Sequence, residues 1–112
     1  MEVLSNSKWK EVKNQLLGDA AIVEMVSGDH MTLCRYKISE KINIPLHSHE
    51  YEQSIYVSHG KMNLVVDGEL ISMKSGDAYI ILKNVKHSAE IVEIPFESIE
   101  SYYPKREDLL EK

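Results

Sequence analysis

The sequence predicts an all-β domain, either a sandwich or a barrel. Three observations carry this. From Ala20 onward about nine short runs of β-type residues follow one another, each closed by turn residues. One of the breaks, Asp67-Gly68, is a strong hairpin signal. Helical periodicity, finally, is confined to the two ends of the chain.

The first run, A-A-I-V-E-M-V, precedes the turn S-G-D-H and returns as M-T-L-C-R-Y-K-I. After S-E-K comes I-P-L-H-S-H, then Q-S-I-Y-V-S, which ends at His59-Gly60. K-M-N-L-V-V turns at Asp67-Gly68 into E-L-I-S-M, and Lys74-Ser75-Gly76-Asp77 leads into A-Y-I-I-L. N-V-K introduces H-S-A-E-I-V-E-I, and E-S-I-E-S-Y-Y closes the series. At the N-terminus, K-W-K-E-V-K-N-Q-L-L spaces Trp9, Val12, Leu16 and Leu17 as a short helix would. R-E-D-L-L-E-K suits a final turn or two. Both are too short to stand without docking on the β domain.

At 112 residues the chain fits a single domain, 1–112. A net charge of −5 lacks the basic face that nucleic acid requires. No apolar run reaches membrane-spanning length and the N-terminus has no signal-like apolar core. The expectation is a soluble cytoplasmic protein with no nucleic-acid or membrane partner. The single cysteine, Cys34, lies in an alternating apolar run and reads as a buried structural thiol.

Chemistry concentrates in His47-Ser48-His49-Glu50-Tyr51-Glu52-Gln53. Residues two apart on a strand share a face, so His47 and His49 project together, as two ligands of one metal must. The same parity continues through Tyr51 and Gln53 and turns Glu50 and Glu52 outward, although a bulge near Glu50–Tyr51 would reverse this. His87 opens a later strand and can meet the pair inside a small barrel. His30 and His59 sit in turn contexts and read as solvent-facing.

These residues resemble the cupin superfamily. Its first motif is G-x5-H-x-H-x3,4-E-x6-G. His47, His49 and Gly60 fit it, with Gln53 in the glutamate slot and Lys41 in place of the opening glycine. Its second motif is G-x5-P-x-G-x2-H-x3-N. Gly76 and His87 keep that frame, with Leu82 for proline, Asn84 for glycine and Ile91 for asparagine. The resemblance implies a cupin double-stranded β-helix (jelly-roll) barrel with short terminal helical segments. It also implies one divalent transition metal held by His47, His49, Gln53 and His87. Such a ligand set is neutral, leaves the ion its full charge, and is compatible with Ni, Zn, Fe, Mn or Co.

A narrower resemblance is to the small pectin-degradation type cupins, which carry an H-S-H-x-H-x-Q run and a D-x-F-x-P-x-R-E-D-F tail. Glu100-Ser101-Tyr102-Tyr103-Pro104-Lys105-Arg106-Glu107-Asp108-Leu109 is similar to that tail, while Tyr51 replaces the third histidine of the run. Members of the group convert 4,5-unsaturated monouronates into linear ketouronates. The resemblance implies that Glu100, Tyr102 and Arg106 line the substrate pocket. In those roles Glu100 is the proton-transfer group, Arg106 the carboxylate fork and Tyr102 the surface packed on the sugar. It implies a small sugar-acid substrate and a homodimer. Two alternatives belong to other classes. One is a non-catalytic metal- or sugar-binding cupin; the other is an Fe(II) dioxygenase, which a glutamine ligand disfavours.

Overall fold

The computed structural model describes residues 8–110. Strands β1 (Lys10–Val12), β2 (Ala21–Ser27), β3 (Thr32–Ile38) and β4 (Asn43–His47) precede the long β5 (Glu52–Val66). Then come β6 (Glu69–Lys74), β7 (Ala78–Ile81), the long β8 (His87–Tyr103) and one helical turn, α1 (Glu107–Leu110). All pairings are antiparallel. The order along the sheet is β1-β2-β3-β8-β5-β6, with β4 on β8 and β7 on β5. Among the described residues no helix is long and apolar enough to cross a membrane.

Two pairs of expected strands are fused. Q-S-I-Y-V-S and K-M-N-L-V-V are the halves of β5, and H-S-A-E-I-V-E-I and E-S-I-E-S-Y-Y the halves of β8. The first half of β5 lies between β7 and the second half of β8; its second half lies between β6 and the first half of β8. Each long strand thus passes from one side of the barrel to the other. His59-Gly60, expected as a turn, is instead a bulge inside β5, where the register with β8 shifts between Val57 and Met62. His59 is exposed there, and His30 is exposed in its turn.

The bulge has a consequence for which side chains face inward. Buried positions on β5 are Gln53, Ile55 and Val57 before it, and Met62, Leu64 and Val66 after it, so the inward parity switches from odd to even. β8 switches in the same sense, from His87, Ala89 and Ile91 to Phe96, Ser98, Glu100 and Tyr102. Without the extra residue, one half of each strand would present its polar face to the core. The two irregularities meet. A Cβ on Gly60 would lie 2.6 Å from the carbonyl oxygens of Glu93 and Pro95, and Gly60 itself has φ +83°. Both the space and the dihedral require glycine.

The N-terminal helix is not formed. Lys10–Val12 is a strand paired with β2, Lys10 opposite Met25 and Val12 opposite Val23, and the chain then turns through a 3-10 segment at Gly18–Ala20. The edge of β2 supplies backbone partners that a short isolated helix would have to find internally. Val12 and Leu17 are buried, as a helix reading also demands, while Trp9 lies under the guanidinium of Arg35 at 4.4 Å. At the other end α1 is helical, and Leu109 seals it against the core. Glu111 and Lys112, the end of the expected C-terminal helix, lie outside the described residues.

The Gly60 contact yields a direct test. Gly60→Ala forces two carbonyl oxygens apart and strains φ, so it should cost about 3 kcal/mol or prevent folding, as urea denaturation would read.

Candidate metal centre and the cavity beside it

β4 ends at His47, the chain bends through Ser48–Tyr51, and β5 begins at Glu52. The continuous strand assumed in the parity argument is therefore interrupted, and β4 also slips register between Ile44 and His47. Even so, Gln53 is buried and Glu50 and Glu52 are exposed. His47 pairs across to His87 at the start of β8. The ligand atoms of His47, His49 and His87 lie within 4.8 Å of one another, compact enough for a single ion.

Each ring is oriented by the main chain. Nδ1 of His47 donates to the Pro45 carbonyl at 2.7 Å, that of His87 to Val85 at 2.9 Å, and that of His49 to Tyr51 at 3.0 Å. With Nδ1 protonated, every neutral ring turns an Nε2 lone pair toward the cluster. Burial lowers the pKa of His49 and of His87, which favours that neutral form. The Nε2 of His87 is buried with no hydrogen-bond partner among the described residues. Asn84 steadies this arrangement. Its backbone N–H donates to the His49 carbonyl at 2.7 Å, joining the two histidine loops, and its φ is +64°. Asparagine is among the few residues other than glycine that readily occupy that region, which explains its place in the glycine slot of the second motif.

Gln53 faces His49, with Oε1 3.0 Å from Nε2, and on its other side Nε2 donates to Glu100 Oε1 at 2.5 Å. Flipping the amide would set its oxygen against the carboxylate, so the orientation is fixed. Two acceptors, the His49 Nε2 lone pair and Gln53 Oε1, consequently point at each other, and His87 Nε2 is an orphan beside them. A cation among them satisfies all three, so the residues fit a divalent metal.

Glu100 is buried and receives only donors. Gln53 and the Tyr102 hydroxyl, at 3.2 Å, donate to Oε1, and Ser98 Oγ donates to Oε2 at 2.7 Å. Burial pushes its pKa up, against the pull of those hydrogen bonds and of Arg106. Tyr36, which the sequence did not single out, sits 2.6 Å from the Tyr102 hydroxyl and donates to it, while Tyr102 donates onward to Glu100. Tyr102 is thus held at both ends, its hydroxyl by Glu100 and its ring under the Arg106 guanidinium at 4.8 Å. Arg106 in turn pairs with Asp108 through Nε and Nη2. Cys34 is fully buried beneath this network, and burial raises its thiol to about 12, so it has no nucleophilic character.

The three histidines, Gln53, Glu100, Tyr36, Tyr102 and Arg106 line one cavity, about 690 Å³ with the open solvent at its mouth included. His47, His49, His87, Gln53, Glu100 and Arg106 form its polar side; Ile55, Met62, Leu64, Ile81 and Phe96 form an apolar wall. Asn14, Leu16 and Leu17 reach the same cavity from the segment expected to be helical. Tyr36, Ser98 and Asp108 escaped the sequence reading because they serve other side chains. Only the inward parity of β8 could have pointed to Ser98.

Residues 35–93, more than half of the chain, match the family model described as a cupin domain. The chain belongs to the cupin family. This cupin is 33% identical over 105 residues to the pectin degradation protein KdgF of Dickeya dadantii, covering 91% of this chain and 90% of that one. Among solved structures it is similar to KdgF from Halomonas sp., with a TM-score of 0.76 and 21% identity over 95% of this chain and 94% of that one. It is also similar to an RmlC-like cupin from Shewanella frigidimarina, with a TM-score of 0.75 and 19% identity over 96% and 92% of the two chains. These two likenesses establish the jelly-roll fold.

The role of Asn84 can be checked by substitution. Asn84→Gly should leave the melting temperature nearly unchanged. Asn84→Val should cost about 1–2 kcal/mol, because a β-branched residue resists positive φ.

Proposed function

We propose that this cupin is a metal-dependent enzyme that linearises a 4,5-unsaturated monouronate or a closely similar small sugar acid. The observation that carries this is the Gln53 amide, which ties the buried Glu100 carboxylate to the histidine cluster within a single cavity. The likeness to a pectin degradation protein along nine-tenths of both chains supports the substrate class.

His47, His49, His87 and Gln53 Oε1 would hold one divalent transition metal, which when bound supplies Lewis-acid polarisation of substrate oxygens. Arg106 binds the substrate carboxylate and so fixes the ring in the cavity. Opening the ring takes the proton from the anomeric hydroxyl as the C1–ring-oxygen bond breaks; C1 becomes an aldehyde, the freed C5 enolate takes a proton at C4 to become a ketone, and this isomerisation consumes no co-substrate. Glu100 is the group that moves this proton. Its Oε1 is engaged by two donors, whereas Oε2 accepts from Ser98 alone and keeps a lone pair free. Tyr102 acts through its hydroxyl, holding Glu100 in place, and the apolar wall excludes water from the reacting face.

Two measurements test the reading. Glu100→Gln should lower kcat for unsaturated galacturonate by about 10²–10⁴-fold while retaining metal, since it keeps the shape and loses the base. The acid limb that Glu100 contributes to the wild-type pH profile should vanish in that variant. Glu100 should remain protonated, and inactive as a base, below that limb.

Metal analysis provides the second test. Wild type should retain one divalent ion per chain, and His87→Ala should weaken its binding by at least about 100-fold, more than loss of an outer-shell partner does. Oxygen uptake coupled to turnover, or no loss of unsaturated-uronate absorbance with the metal-loaded protein, would refute the proposal.

A further inference from the structure

Arg106 is held on several sides. Its backbone amide donates to the fully buried Thr32 Oγ1 at 2.9 Å, and its guanidinium carbon lies 4.8 Å from the Tyr102 ring centre and 5.2 Å from that of Tyr51. Asp108 takes one edge of the fork, Oδ1 accepting from Nε at 3.1 Å and Oδ2 from Nη2 at 2.6 Å. The Tyr51 hydroxyl donates to the same Asp108 Oδ1 at 3.3 Å, closing a ring of contacts among the three residues. Asp108 itself lies between two anchors, Arg106 and the buried Leu109.

A guanidinium has five N–H donors and two edges that match a carboxylate. Asp108 occupies the Nε/Nη2 edge, and among the described residues no hydrogen bond takes Nη1. The Arg106 side chain is only 14% exposed and lines the cavity, whereas that of Asp108 is 51% exposed. The carboxylate thus holds the fork from its more exposed side and leaves the other edge free for a ligand in the cavity. Position 51 takes part in this clamp only because it is tyrosine: a histidine there has no para-hydroxyl to reach Asp108.

The geometry points to Asp108 and Tyr51 as positioning residues that fix Arg106 so that its Nη1/Nη2 edge receives the two oxygens of a substrate carboxylate. The inference rests on the reading of Arg106 as the carboxylate fork. It adds that residues that never touch the ligand tune how strongly Arg106 prefers a sugar acid over the neutral sugar. An arginine free to rotate would still attract the anion, but it would lose the paired alignment that only a planar two-oxygen group can satisfy.

The test compares metal-loaded wild type with Asp108→Ala, Asp108→Asn, Tyr51→Phe and Arg106→Gln. Two readouts are used: calorimetric binding of D-galacturonate, a saturated acid, and kinetics on unsaturated galacturonate. Asp108→Ala should weaken galacturonate binding and raise KM by about tenfold, with kcat changed less than twofold and metal content intact. Asp108→Asn and Tyr51→Phe, which keep volume and fold, should give smaller losses of the same kind, and D-galactose binding should not move. Tighter galacturonate binding in Asp108→Ala would show Asp108 to be a competitor for the fork and overturn the proposal. So would unchanged binding in all three variants while Arg106→Gln is impaired, which leaves the carboxylate reading standing. Unchanged galacturonate binding in Arg106→Gln removes that reading and the positioning role with it.

Discussion

A carboxamide donates at one end and accepts at the other, and the Gln53 amide can satisfy its surroundings in one orientation only. Its nitrogen is claimed by the Glu100 carboxylate at 2.5 Å, so its oxygen must face His49. Everything else in the cavity follows from that constraint. The neutral histidine rings, each donating from Nδ1 to a backbone carbonyl, have no Nε2 proton to give the amide oxygen. The cluster is therefore rich in lone pairs, and the buried carboxylate is rich in donors. One residue separates a cation-seeking half of the cavity from a proton-handling half, and it keeps both within reach of one small molecule.

That division depends on the irregular course of the two longest strands. β5 and β8 each carry side chains of opposite parity to the interior in their two halves, and the switch occurs where Gly60 presses on the carbonyls of Glu93 and Pro95. Gln53 lies upstream of the switch on β5, and Glu100 and Tyr102 downstream of it on β8. Sliding either strand by one residue would put Gln53 and Glu100 on opposite faces. The glycine that completes the first cupin motif thus acts on the site through register, from a position outside the cavity.

Much of this was legible in the sequence. Alternation and turn residues marked the strands, and the histidine spacing with Gln53 marked the cluster. The tail likeness marked Glu100, Tyr102 and Arg106, and the structure brings all seven residues to one cavity. The failures have physical causes. Lys10–Val12 carries spacing that suits a helix and a strand alike over so short a stretch, and the free edge of β2 decides between them. A glycine inside a strand and a glycine between strands look the same in sequence, so the bulge at His59-Gly60 read as a turn. Tyr36, Ser98 and Asp108 act on other side chains: Ser98 shares only its parity with Glu100, Asp108 lies in the tail motif without a role of its own there, and Tyr36 belongs to neither motif.

Main-chain hydrogen bonds alone set the Nδ1 side of the three imidazoles. In each ring the partner of Nδ1 is a main-chain carbonyl two residues away. The ring poses are written into the path of the polypeptide, so no neighbouring side chain has to be preserved for them to persist. Ser48, Glu50, Val85 and Lys86 can drift without retuning the cluster, so long as the loop shape survives. The same barrel can therefore change what it accepts at the cavity wall, residue by residue, while its histidine centre stays as it is.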